Sequence, residues 1–104
     1  MKVYKQSEVA RMVESISLAK NLWAERSAVV FKEKGDVGSC IIGDGIEILV
    51  LPPKCRKPKA HMIIWAREIS SCQGSCHYEA TQEGIIDFLK GEDIEARYNY
   101  GRMD

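Results

Sequence analysis

The sequence predicts a single α+β domain over residues 1–104, with an N-terminal helix, a four-to-five-stranded mainly antiparallel sheet and a short second helix before the last strand. Three observations predict it. Apolar residues recur at helical spacing near the start, short β-like runs broken by turn signals fill the middle, and a capped helical run precedes a final alternating segment. No internal repeat and no linker interrupts this order.

The first helix is expected over residues 7 to about 25. Ser7 is placed to cap the first-turn amides, Glu8 suits the positive end of the helix dipole, and no Gly or Pro intervenes before Gly35. At 100° per residue Val9, Met12, Val13, Ile16, Ala19 and Trp23 form one stripe that should face the core. Leu18 and Leu22, spaced i and i+4, project near the opposite side. They either lie under another segment or meet a second chain.

From Ala28 the texture changes. Runs at 28–32, 37–42 and 46–51 are separated by Lys34-Gly35-Asp36 and Gly43-Asp44-Gly45, and Asp44-Gly45 between apolar runs is a strong hairpin signal because both residues tolerate positive φ. Three consecutive antiparallel strands are expected, the third ended by Pro52 and Pro53, which cannot donate to a sheet ladder. Met62, Ile63, Ile64 and Trp65 are apolar on both faces and read as a central strand. Thr81 is placed to cap a helix that Gly91 stops at Lys90, with Ile85, Phe88 and Leu89 on its buried side. Glu92-Asp93 then reads as a turn. In the last run, 94–100, Ile94, Ala96, Tyr98 and Tyr100 alternate with Glu95, Arg97 and Asn99, as a half-exposed strand requires.

Composition narrows the function classes. With 45% hydrophobic and 29% charged residues the chain is globular, and 15 basic against 15 acidic side chains leave no global field to recruit nucleic acid or an anionic membrane. No apolar run reaches the roughly 18 residues of a membrane span, and the opening MKVYKQSEVA lacks the unbroken apolar stretch of a secretory signal. A soluble, cytoplasmic chain is expected, with its four cysteines reduced.

The stretch SSCQGSCHYE, residues 70–79, raises three chemical readings. Cys72 and Cys76 are the one close cysteine pair, and a zinc site would recruit Cys55 and His77 or His61 to complete four ligands. A disulfide-exchange pair needs C-x-x-C, one residue shorter, and a Cys76 nucleophile with His77 as base has no orienting third group. Cys40 reads as a small buried residue. Lys54, Arg56, Lys57 and Lys59 in a proline-bounded loop form a candidate anion or nucleic-acid site, set against a plain solvated connection. Tyr98, Tyr100, Arg97 and Arg102 offer stacking groups near the C-terminal end. No Ser-His-Asp set, HExxH, phosphate loop or dinucleotide fingerprint occurs.

The reading that follows is a non-enzymatic binding module with no cofactor, acting on a protein partner or on itself as a homo-oligomer through Leu18, Leu22, Arg97 and Tyr100. The alternatives are a zinc-stabilised domain on Cys55, Cys72, Cys76 and His77, and an anion binder through residues 54 to 59. Membrane contact is not expected, and nucleic acid is disfavoured.

Overall fold

A computed structural model describes residues 1–36, 38, 43–69, 74 and 76–100. In chain order they form strand β1 (Val3–Lys5), helix α1 (Gln6–Val9), a 3-10 turn (Ala10–Met12), the long helix α2 (Val13–Lys34), strands β2 (Gly45–Leu51) and β3 (Lys59–Trp65), a second 3-10 turn (Ala66–Glu68), helix α3 (Cys76–Gly91) and strand β4 (Arg97–Asn99). The architecture is the expected α+β domain: a long N-terminal helix, a four-stranded mixed sheet and a second helix before the last strand. No described helix is long and apolar enough to cross a membrane.

β2 is the spine. On one edge it pairs antiparallel with β3, from Gly45 opposite Trp65 to Val50 opposite Lys59. Its other edge is shared end to end: β4 lies antiparallel against Gly45, Ile46 and Glu47, and β1 lies parallel against Leu49, Val50 and Leu51. Alternation along β2 turns Ile46, Ile48 and Val50 toward the helices, all buried, and Glu47, Leu49 and Leu51 to the other face. A register shift between Ile46 and Glu47 leaves Ile63 as the extra residue on β3, so that Ile64 joins the core face. Met62 and Ile63 are therefore half-buried on an edge strand; among the described residues β3 pairs only with β2, and the central place expected for it belongs to β2.

α2 runs nine residues beyond its expected end. Ala28 to Lys32, read as a strand for its β-branched and aromatic content, is helical because Ala24, Ser27, Ala28 and Phe31 continue the face turned toward α3. Tertiary packing overrides the local β preference there. The helix stops at Gly35, whose φ of 77° suits a residue without Cβ and whose N–H donates to the Phe31 carbonyl at 2.7 Å. At the other end Ser7 lies inside α1; the Lys5 N–H is met by the Glu8 carboxylate at 3.0 Å instead. The core stripe holds for Met12, Ala19 and Trp23, with Val9 and Ile16 packed beside it, but Val13 is 66% exposed. The 3-10 turn before it rotates the first helical positions out of phase with the rest.

The expected 37–42 strand falls almost wholly outside the described residues. Gly45 is not a turn residue: it opens β2, opposite both Trp65 and Asn99. A methyl group at Gly45 would collide with the Ile64 carbonyl oxygen and the Met62 sulfur, so the close approach of β3 is what demands glycine. α3 begins at Cys76, five residues ahead of the expected Thr81. Thr81 sits inside the helix with its hydroxyl bonded back to the His77 carbonyl at 2.7 Å. The C-terminal end of α3 closes with Ile94 N–H on the Leu89 carbonyl (2.8 Å), Asp93 N–H on the Lys90 carbonyl (3.1 Å), and Asp93 at φ 63°. That Schellman turn is the Glu92-Asp93 turn expected from the sequence. The buried Tyr4 hydroxyl donates to the Asp93 carbonyl (3.1 Å) and accepts from the Glu95 N–H (2.7 Å), fastening β1 to the same turn. β4 is confined to residues 97–99, while Ile94, expected within it, is buried just before it.

Two substitutions test this packing. Gly45→Ala should lower unfolding free energy by at least about 1–3 kcal/mol in urea titrations, since backbone rather than a flexible side chain blocks the methyl. Thr81→Val keeps the shape but strips partners from two buried groups, Trp23 Nε1 (3.0 Å) and Ser27 Oγ (3.2 Å). A loss of roughly 1–3 kcal/mol is expected, and a neutral result would show that neither bond matters.

Candidate functional site

The four residues expected at a partner surface do not share one. α2 turns 100° per residue, so Leu18 and Val29, eleven residues apart, lie within about 20° of each other and about 16 Å along the axis. Both are outward, 51% and 59% exposed, whereas Leu22 is half-buried against the core. Trp23, which meets the Tyr98 ring edge-on with centroids 6.1 Å apart, points more than about 100° away from that row. Arg97 and Tyr100 belong to the sheet side of α2. Arg97 is committed locally: its Nε donates to Glu47 at 2.7 Å, and Glu47 is buried. The exposed Tyr100 ring packs on Tyr98 at 4.7 Å. Burial and the hydrogen bond to Asp44, 2.8 Å away, hold the Tyr98 phenol above the ordinary tyrosine pKa. It is a sheet-packing residue here.

Lys54, Arg56, Lys57 and Lys59 are all exposed on the β2–β3 connection and its junction with β3. Lys54 has φ 64° and the Cys55 N–H donates to the Pro52 carbonyl at 3.2 Å, so the loop turns sharply past the prolines. Lys5, opposite Leu51, adds a cation at the same end of the sheet.

Cys55 stands in that loop, beyond the Leu51 end of β2, whereas Cys76 and His77 open α3 beyond the Trp65 end of β3. A seven-residue strand, roughly 20 Å, separates the two ends. The structure therefore does not bring Cys55 to His77, and His61 is exposed midway along β3 beside Ile48. Among the described residues no group of three His, Cys, Asp or Glu could hold a metal ion. Cys72, Cys40 and Arg102 lie outside the described residues; Cys55 and Cys76 are free thiols.

His77 itself is the unexpected feature. It is only 1% exposed, held between the Phe31 ring (centroids 5.3 Å apart) and the Tyr78 ring (3.9 Å). Neither ring nitrogen has a hydrogen-bond partner among the described residues. Beside it, Ala24, Ser27, Ala28, Phe31 and Ile69 line a solvent-open hollow of about 160 Å³ between α2 and α3. The sequence carried a signal: Tyr78, Ile85 and Leu89 fall on one helical stripe, which places the start of α3 ahead of them and turns the segment at 77–78 inward. Nearby, Asp36 accepts from the Gly74 N–H at 2.5 Å and so ties the end of α2 to the chain leading into α3.

Burial lowers the His77 pKa below its ordinary 6.5, and the Asp36 charge opposes this in part. Above pH 6.5 the imidazole is neutral whether the chain is folded or not. Below it the unfolded chain takes up a proton that the folded chain resists, so stability falls as pH falls. Urea midpoints at about pH 7.5 and about 5.5 should show that loss, and His77→Phe should make it smaller. An unchanged pH dependence in the variant would remove His77 as its source. In comparisons with protein-family models, curated proteins and solved structures, the chain finds no significant match.

Proposed function

We propose that the chain is a small, non-enzymatic binding module that acts through a protein surface, pairing with a second copy of itself in the cytoplasm. One observation carries this reading: Leu18, Leu22, Glu25 and Val29 recur at 4-3-4 spacing on α2, the spacing of a helix-pairing seam, with Leu18 and Val29 more than half exposed. The row is self-complementary. When two α2 helices cross antiparallel about a point between Trp23 and Ala24, each Leu18 meets the Val29 of the other copy and each Leu22 meets its Glu25. That is the isologous arrangement a two-fold dimer requires. Glu25 within the seam favours one register at some expense in affinity.

Zero net charge supports association, because no long-range repulsion opposes it, and it gives no reason to favour nucleic acid over the solvated reading of the basic loop. The free thiols of Cys55 and Cys76 suit a reducing compartment.

Sedimentation velocity at tens of micromolar chain should report a dimer. Leu18→Lys combined with Val29→Lys changes two exposed side chains, so circular dichroism should be unchanged while the assembly falls to monomer. A monomeric wild type, or a double variant that keeps the wild-type mass, would sink the proposal.

A further inference from the structure

We propose that the free edge of β3 binds an extended acidic segment of a protein partner, one in which carboxylate and apolar residues alternate, by adding it to the sheet as a further strand. Charge points to the sign of the partner. The chain is neutral overall, with 15 basic and 15 acidic side chains, yet between Glu47 and Glu68 it carries Lys54, Arg56, Lys57, Lys59 and Arg67 and no acid. The two carboxylates that bound this stretch are already engaged, Glu47 by Arg97 at 2.7 Å and Glu68 by Lys20 at 3.0 Å. Among the described residues none of the five cations forms an ion pair. Arg67 lies over the Trp65 ring instead, 4.4 Å from its centroid, so cations stand at both ends of the strand.

The backbone points to the form of the partner. Among the described residues β3 pairs only with β2, and alternate residues of an antiparallel strand turn their N–H and C=O groups away from the paired neighbour. That edge therefore presents a row of donors and acceptors that another extended chain can meet. Lys59, Ala60 and His61 are exposed, which leaves the start of the edge open to approach. The faces set the alternation: Lys59 and His61 lie opposite Val50 and Ile48 on one face, Ala60 and Met62 opposite Leu49 and Glu47 on the other. A strand laid beside β3 sets every second side chain next to Lys59 and His61, where a carboxylate is favoured, and the rest next to Ala60 and Met62, where an apolar group is. A second copy of this chain is the poorer occupant, because pairing two β3 edges would bring two sets of these cations together. A phosphate chain would meet the cations but offers no donor to the outward carbonyls. The inference does not rest on self-association, since β3 and the Leu18 row of α2 are different elements.

The probes are a seven-residue peptide alternating glutamate with valine, the same peptide with every backbone N–H methylated, and a single-stranded thymidine oligonucleotide of matched charge. Titrated into 15N-labelled chain at about 50 mM salt, the first should give saturable amide shifts centred on residues 59–63 and slow hydrogen exchange at alternate amides there. Its affinity should fall about tenfold or more at about 0.5 M salt. Methylation should cost about tenfold or more, since it removes the donors of the added strand. Lys57→Glu combined with Lys59→Glu changes two exposed side chains, so circular dichroism should be unchanged while affinity for the acidic peptide falls about fivefold or more. No saturable shift with the acidic peptide at millimolar concentration would overturn the proposal. So would a methylated peptide that binds within about threefold of its parent, or an affinity that survives in the folded double variant. An oligonucleotide that binds more tightly, with shifts centred on residues 54–59, would assign the cations to phosphate and overturn it as well.

Discussion

The hydroxyl of Thr81 is the point on which the helical layer depends. It receives the indole N–H of the fully buried Trp23, accepts from Ser27 and donates to the His77 carbonyl, so one oxygen joins two turns of α2 to the first turns of α3. Trp23 in turn meets Tyr78 and Tyr98 edge-on, which carries the same contact from α3 to β4. A buried indole N–H without a partner is costly because it has lost its hydration, and here the partner belongs to α3, so the bond ties Trp23 of α2 to that helix. Ser27 and His77, the two polar residues lining the hollow, are held by this one junction. The hollow and the clamp are therefore parts of the same packing solution.

What could be read from sequence followed the range of the forces involved. β2 was legible because a run of β-branched residues ending at two prolines leaves few alternatives. The helix ends were less so: the first helix, expected to end near residue 25, runs on to Gly35, and α3 reverses at Asp93, two residues past the Gly91 read as its stop. The run Ala28–Lys32 misled because its local preference is for strand, while the contacts that keep it helical come from α3, some fifty residues later. β1 was invisible at three residues; its pairing to Leu49–Leu51 and the Tyr4 hydroxyl bonds are wholly long-range.

The sites divide in the same way. Leu18 was legible as an outward residue because helical phase is local, and the structure adds Val29 to its row once the helix is known to continue. Arg97 looked available for a partner, yet a buried carboxylate across the strand pair already holds it. His77 was read for metal or thiol chemistry because it follows a cysteine, whereas its surroundings are two aromatic rings and an apolar hollow that no linear motif announces.

The shared edge of β2 has a consequence for how the chain reaches its fold. Among the described residues only the β2–β3 hairpin joins strands close in sequence; β1 and β4 come to β2 from opposite directions, across separations of roughly fifty residues. Each loop closure costs entropy before any ladder bond repays it, so by sequence separation the β2–β3 hairpin is the pairing with the smallest closure cost. The two short strands, of three residues each, lie end to end along one edge of β2 and carry the larger closure cost. The Tyr4 clasp couples them: its partners at Asp93 and Glu95 are in place only where α3 has closed its last turn, so the docking of β1 is tied to the segment that leads into β4.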